Sequence, residues 1–163
     1  MSTTTRRAFI QRSAGMLGGI VVAAGVLPFT GCESITMKNP VTPDNNSGLT
    51  IDGTTVRIDT AATAFVTLKD ALGYVALDVL SKKILVIRLS ETSASSISRV
   101  CTHQGCDINA QEAGTLASDQ FICPCHGSRF QASTGAVLKG PAPIGVQSYP
   151  ATIAGSFITV DLS

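Results

Sequence analysis

The chain has no tryptophan, only two tyrosines and only two histidines, and aromatic residues make up 5% of its 163 positions. It shows no internal repeat, no basic stripe, and no long amphipathic helical pattern outside its N-terminal segment. Positive charge is scarce where a folded domain would use it. Three of the twelve basic residues (Arg6, Arg7 and Arg12) precede residue 13, and all eleven acids lie at Glu33 or later. From Cys32 onward nine basic residues face eleven acidic ones, a net of −2, which removes the electrostatic case for nucleic-acid binding. What the chain has in quantity is Thr, Val, Ile, Ser and Gly, a composition that favours β structure with many turns in one compact domain.

The N-terminus reads as a leader. Residues 3–12 carry an Arg-Arg-x-Phe-Ile order, followed by an apolar run over residues 14–29 and then Thr30-Gly31-Cys32. A charged start, a short apolar segment and a small-residue exit describe an export signal. The paired arginines resemble a twin-arginine signal, whose machinery exports folded proteins and so suits a cofactor loaded in the cytoplasm. The apolar run has 16 residues, four of them glycine, against about 20 for a full span. Residues 1–31 are therefore an export signal or a membrane anchor. Phe29-Thr30-Gly31-Cys32 resembles a lipobox, which makes Cys32 either a lipidation site or a stray thiol. Each alternative places the domain on the outer side of the cytoplasmic membrane.

Residues 32–48 contain Asn39-Pro40, Thr42-Pro43 and Asp44-Asn45-Asn46-Ser47-Gly48 without apolar periodicity, the composition of a tether. The folded domain is expected over 49–163. Short β-type runs occupy 49–51, 56–58, 65–68, 74–77, 84–89, 97–100 and 120–122, then 147–149 and 157–160, the last two joined across Ala154-Gly155. Strands this short and this closely spaced predict an all-β, small antiparallel sandwich or barrel. Residues 67–72 could form a single helical turn. Lys82, Lys83, Arg57, Arg88 and Arg99 read as ordinary solvated charges, with a docking face as the alternative.

Four of the five cysteines and both histidines fall into two boxes, Cys101-Thr102-His103-Gln104-Gly105-Cys106 and Cys123-Pro124-Cys125-His126-Gly127-Ser128. Cys101-x-His103 and Cys123-x-x-His126 each offer one thiolate and one imidazole from a tight loop. Two soft sulfurs and two imidazoles suit tetrahedral zinc or an iron–sulfur cluster. A zinc finger pairs two cysteines and then two histidines, whereas here each box holds one of each. That order fits a [2Fe–2S] centre with two cysteines on one iron and two histidines on the other. With both histidines committed, a two-histidine site for mononuclear iron cannot be assembled elsewhere. A zinc-stapled, non-redox binding module is the alternative function.

The boxes resemble the signature of Rieske iron–sulfur proteins, including the second cysteine of each box and the 19 residues between His103 and Cys123. The resemblance covers about residues 97–145, the expected cluster-binding subdomain of two loops. It extends to Gly140-Pro141-Ala142-Pro143, similar to the loop that covers the cluster in quinol-oxidising relatives. It implies Cys101, His103, Cys123 and His126 as cluster ligands. It also implies a Cys106–Cys125 disulfide, as in the high-potential branch of the family, and export places the domain where disulfides persist. Gly105 and Gly127 suit backbone that must approach the cluster closely. The Ser128 hydroxyl is either a donor to a cluster sulfur, raising the potential, or a turn hydroxyl bonded to its own backbone.

The resemblance further implies one-electron transfer without turnover by this chain alone, as a subunit of, or carrier for, a larger redox complex. Three settings are open: a quinol-oxidising cytochrome b/c complex such as a quinol:cytochrome c reductase, the small subunit of an exported molybdenum oxidase, and a free carrier. Two positions depart from the quinol-oxidising pattern, Gln104 where Leu is usual and Phe130 where Tyr is usual. Phe130 has no hydroxyl to donate to a ligand sulfur, a loss on the order of 1–3 kcal/mol of electron affinity. A potentiometric titration is therefore expected to give a midpoint inside the roughly −150 to +300 mV Rieske range but short of its top. Because each ligating imidazole keeps one N–H, the midpoint should also fall as pH rises through the alkaline range. A midpoint at the upper extreme would contradict the role given to Phe130.

Overall fold

A computed structural model describes residues 47–108 and 113–163; the leader, the tether to residue 46 and Cys32 lie outside the described residues. Among the described residues twelve strands form three antiparallel sheets, none closed into a barrel. The outer sheet has the order β1 (Leu49–Asp52), β2 (Thr55–Asp59), β12 (Phe157–Asp161), β11 (Ala151–Ala154). The central sheet has the order β10 (Ser148–Tyr149), β5 (Ala94–Ser98), β4 (Lys82–Arg88), β3 (Gly73–Val79), β6 (Ala113–Thr115). The third sheet is small: β7 (Gln120–Ile122), β8 (Arg129–Gln131), β9 (Val137–Lys139).

The central sheet explains two apolar runs that do not alternate with polar residues. Successive side chains of a strand point to opposite faces. Val75, Leu77 and Val79 of β3 and Ile84 and Val86 of β4 enter one core, with Val56, Ile58, Ile158 and Val160 of the outer sheet. Tyr74 and Ala76, with Leu85 and Ile87, enter a second core with Phe121, Phe130, Cys101 and Cys123. Each fully buried Ile, Leu or Val contributes about 1.5–3 kcal/mol relative to exposure. Both parities are apolar because a layer covers each face. Tyr74 reaches across to Phe121 in a T-shaped contact, ring centroids 5.2 Å apart, which pins the small sheet to the central one.

Three strand expectations need correction. Residues 65–68 lie in 3₁₀ turns over Thr63–Lys69, interrupted at Phe65 (φ −120°, ψ 17°). Phe65 and Leu68 are buried while Val66 is 50% exposed, the three-residue period of a 3₁₀ turn rather than the two-residue period of a strand. The strand placed at 97–100 is β5, four residues of it serine or alanine (Ala94, Ser95, Ser96, Ser98), so its polar look hid it. Ser95 earns its burial by donating to the Ala132 carbonyl at 2.8 Å. Residues 147–149 do not pair with β12. Ser148 and Tyr149 pair with Ile97 and Ser96 of β5, the chain changes sheet at Pro150, and β11 pairs with β12.

The expectation of solvated charge holds for the exposed Arg57 and Lys83 and fails for Arg99. Arg57 lies over the Phe157 ring at 3.7 Å, and Arg88 donates to the carbonyls of Ser90, Leu68 and Glu91. Arg99 is buried, 4% exposed, and paired with Asp78 and Asp107. It belongs to neither a solvated surface nor a docking face.

β3 and β4 are joined by two residues, Leu80 and Ser81, both at positive φ (49° and 61°), the backbone of a type I′ turn that favours Asn-Gly. A residue with a Cβ pays about 1–2 kcal/mol in this conformation. Ser81→Gly is expected to stabilise the domain by about 1 kcal/mol, a rise of roughly 3–6 °C in melting temperature for a domain this size. An unchanged melting temperature in calorimetry would contradict the turn assignment.

Candidate metal centre

The boxes leave the sheets at neighbouring points: the first follows β5, and the second joins β7 to β8. They fold alike. In the first, the Cys101 N–H donates to the Cys106 carbonyl at 2.9 Å and the Gly105 N–H to the Cys101 carbonyl at 2.8 Å. In the second, the Cys123 N–H donates to the Ser128 carbonyl at 2.8 Å and the Gly127 N–H to the Cys123 carbonyl at 3.0 Å. Each loop thus closes over the same five-residue span. Gly105 and Gly127 stand at φ +75° and +74°, and a Cβ built at either meets no protein atom within 4 Å. Left-handed backbone is what demands glycine here.

The structure brings the expected residues together in a polarised way. Cys101 and Cys123 are buried free thiols in the second core, near enough to hydrogen-bond to each other. Burial pushes the Cys101 thiol above its ordinary value, and the adjoining Cys123 thiol pushes the same way. The His103 backbone N–H and the Ser128 hydroxyl, both directed at its sulfur, pull it back. His103 is half-buried and His126 exposed, with ring centroids 4.8 Å apart and planes at 89°. The centre therefore has a sulfur floor and an imidazole rim.

Cys106 and Cys125 form a disulfide, S–S 2.07 Å, joining the two loops across a sequence separation of 19. Constraining a loop of that length stabilises by about 3 kcal/mol in chain-entropy terms. The sulfurs of Cys106, Cys123 and Cys125 lie within 4.8 Å of one another, but two of them are spent in the disulfide, so this trio is not a ligand set. Phe130 is fully buried in the apolar cluster that contains Cys101 and Cys123 and brings no polar atom. Gln104 is exposed.

The proline loop covers the centre through one hydrogen bond to each box. The Thr102 hydroxyl donates to the Ile144 carbonyl at 2.6 Å, and the Ala142 N–H donates to the Ser128 hydroxyl oxygen at 2.9 Å. Ser128 is buried and so serves two partners, the cover loop and the Cys101 sulfur. It is not a turn hydroxyl serving its own backbone. Thr102 went unnoticed in the sequence and Arg99 was read there only as a solvated charge; Thr102 shares a box with two ligand-type residues, but nothing local marks its reach to residue 144.

The donor set passes a direct test of fit. His103 Nδ1 is buried without a hydrogen-bond partner among the described residues, a costly state for an imidazole nitrogen unless something absent from the coordinates is bound to it. Cys101 and Cys123 form an adjoining pair of buried free thiols in the same two loops. Cys101, Cys123, His103 and His126 are the residues that could hold a metal cluster, and they offer two sulfurs and two imidazoles.

An antiparallel β domain presenting paired thiols beneath paired imidazoles on two disulfide-tied loops is the framework of an iron–sulfur domain. The family model of the Rieske [2Fe-2S] domain matches residues 60–150, more than half of the chain. The chain belongs to that family and carries its [2Fe–2S] cluster. It is 38% identical over 66 residues to a cytochrome b6-f complex iron-sulfur subunit of Chlorobaculum thiosulfatiphilum, covering 40% of this chain and 34% of that one. It is 42% identical over 57 residues to the corresponding subunit of Synechococcus elongatus, covering 35% and 29%. The chain thus spans about a third of the length of these curated relatives. Among solved structures it resembles the ferredoxin of carbazole 1,9a-dioxygenase from Nocardioides aromaticivorans IC177, with a TM-score of 0.51 and 28% identity over 60% of this chain and 93% of that one.

Ser128→Ala removes a donor aimed at the Cys101 sulfur. The reduced centre is the more negative, so losing the donor should lower the midpoint, by about 1.5–3 kcal/mol or roughly 60–130 mV for a one-electron couple. Potentiometric titration of the variant beside the parent protein checks this; an unchanged midpoint would remove Ser128 from the tuning of the centre.

Proposed function

We propose that this protein transfers single electrons on the outer face of the cytoplasmic membrane, as the iron–sulfur subunit of a quinol-oxidising complex built on a b-type cytochrome. Cys101 and Cys123 would hold one iron and His103 and His126 the other. When bound, the [2Fe–2S] centre supplies a one-electron couple. The observation that carries the reading is the polarity of the site, with both candidate sulfur ligands buried and the His126 ring exposed. Electrons have their shortest way in and out through that ring, and its outer nitrogen would accept the proton that a bound quinol gives up on oxidation and later release it to water. Apolar side chains lie exposed in and beside the boxes: Ile144 is 66% exposed, and Pro124 and Pro143 are exposed. Sequence similarity to cytochrome b6-f iron-sulfur subunits supports the same setting.

The export signal or anchor over residues 1–31, the tether over 32–48 and lipidation at Cys32 complete the proposal by holding the domain at the membrane. Among the described residues no helix is long and apolar enough to cross a membrane. A second reading, as a free carrier or the small subunit of an exported molybdenum oxidase, is favoured by Gln104, whose exposed amide stands where quinol-oxidising relatives place an apolar side chain.

Isolation of the tagged full chain from its own detergent-solubilised membranes separates these. Co-purification of a b-type haem, reducible by added quinol, is expected. A molybdenum-containing partner, or release of the chain by salt with no haem attached, would sink the quinol-oxidising assignment in favour of the second reading.

A further inference from the structure

The two boxes share a hydrogen-bond plan but not a foundation. The second stands on a strand pair, with Ile122 opposite Arg129 at its neck and Phe121 opposite Phe130 beneath. Among the described residues, which run only to Ile108 on this side, the first stands on one bridge, Val100 opposite Asp107, backed by the Ile108 N–H donating to the Arg99 carbonyl at 2.8 Å. Val100 is 42% exposed and adds little packing.

Arg99 fills this gap. Its guanidinium is buried, and its Nη2 lies 2.7 Å from Asp78 Oδ1 and 3.1 Å from Asp107 Oδ2. Nη2 donates to Asp78 and forms an ion pair with Asp107. Asp107 directly follows Cys106 at the exit of the first box, Arg99 stands two residues before Cys101 at its entrance, and Asp78 belongs to β3 of the central sheet. One side chain thus ties both ends of the box to each other and to the scaffold. The carboxylates remain 39% and 36% exposed, so only the cation is fully withdrawn from water; one charge-assisted hydrogen bond to Asp78 and an ion pair with Asp107 answer it at Nη2, while Nε is buried without a partner among the described residues. The Arg99 N–H donates to the Lys83 carbonyl at 2.9 Å, fixing the backbone from which the side chain reaches.

We propose that Arg99, through Asp107 and Asp78, is the positioning residue of the first box, supplying the rigidity that strand pairing gives the second and so setting where His103 is held against His126. Opening the Arg99–Asp107 contact should loosen residues 101–108 and leave residues 121–131 as they are.

Hydrogen–deuterium exchange on the full, cluster-loaded chain tests this window by window. Arg99→Met and, separately, Asp107→Asn should each speed exchange in residues 101–108 by about tenfold or more, with residues 121–131 within about twofold of the parent. Asp107→Asn keeps the Arg99–Asp78 pair, so it remains informative if Arg99→Met does not fold. Equal acceleration in both windows would make Arg99 a general stabiliser and overturn the proposal; no acceleration in the first window would overturn it too. The reduced protein's EPR spectrum should shift in the same variants. That arm rests on His103 being a ligand, as proposed above, whereas the exchange arm does not. An unchanged spectrum beside a loosened first box would therefore count against the ligand assignment and leave the positioning role standing.

Discussion

The central sheet has no polar face, and most of the molecule follows from that. A strand pair whose side chains are apolar at both parities must be covered twice. One cover is the outer sheet, an ordinary sandwich partner. The other is the small sheet with its two loops, so the floor of the metal centre is also the wall of a hydrophobic core. Cys101 and Cys123 are buried beside Phe121 and Phe130 because they belong to that packing. The same burial keeps water from the sulfur side of the centre and leaves the imidazole side to face outward.

What could be read from the sequence, and what could not, divides along the range of the interactions. The boxes were legible because ligand chemistry is written in residue type and spacing over a few positions, and the disulfide came with the family those boxes resemble. The strands at 74–77 and 84–89 were legible because apolar runs of that length have few alternatives. The 3₁₀ turn at Phe65 and Leu68 was misread because four residues hold too little period to separate two from three. β5 was displaced because its buried Ser95 is satisfied by a carbonyl of residue 132, and a bond across 37 residues leaves no local mark. Arg99 was misplaced for the same reason. Its carboxylates come from β3 and from beyond the first box, and only the fold brings them together.

The polar fixings around the centre are few and each has a distinct place. The disulfide joins the loops at their outer edge, Thr102 and Ser128 hold the cover, and the Arg99 pairs hold the neck of the first box. All cross between segments far apart in the chain. The loops themselves are short and rich in positive φ, with little apolar surface of their own, so their geometry has to be imposed from outside.

Ser128 shows what such economy entails. Its oxygen receives the Ala142 N–H while its hydrogen points to the Cys101 sulfur, and a hydroxyl that accepts a hydrogen bond becomes a better donor through polarisation. The proline loop and the Cys101 sulfur are thus linked through one hydroxyl, so a displacement of Ala142 reaches the sulfur side of the site by way of Ser128.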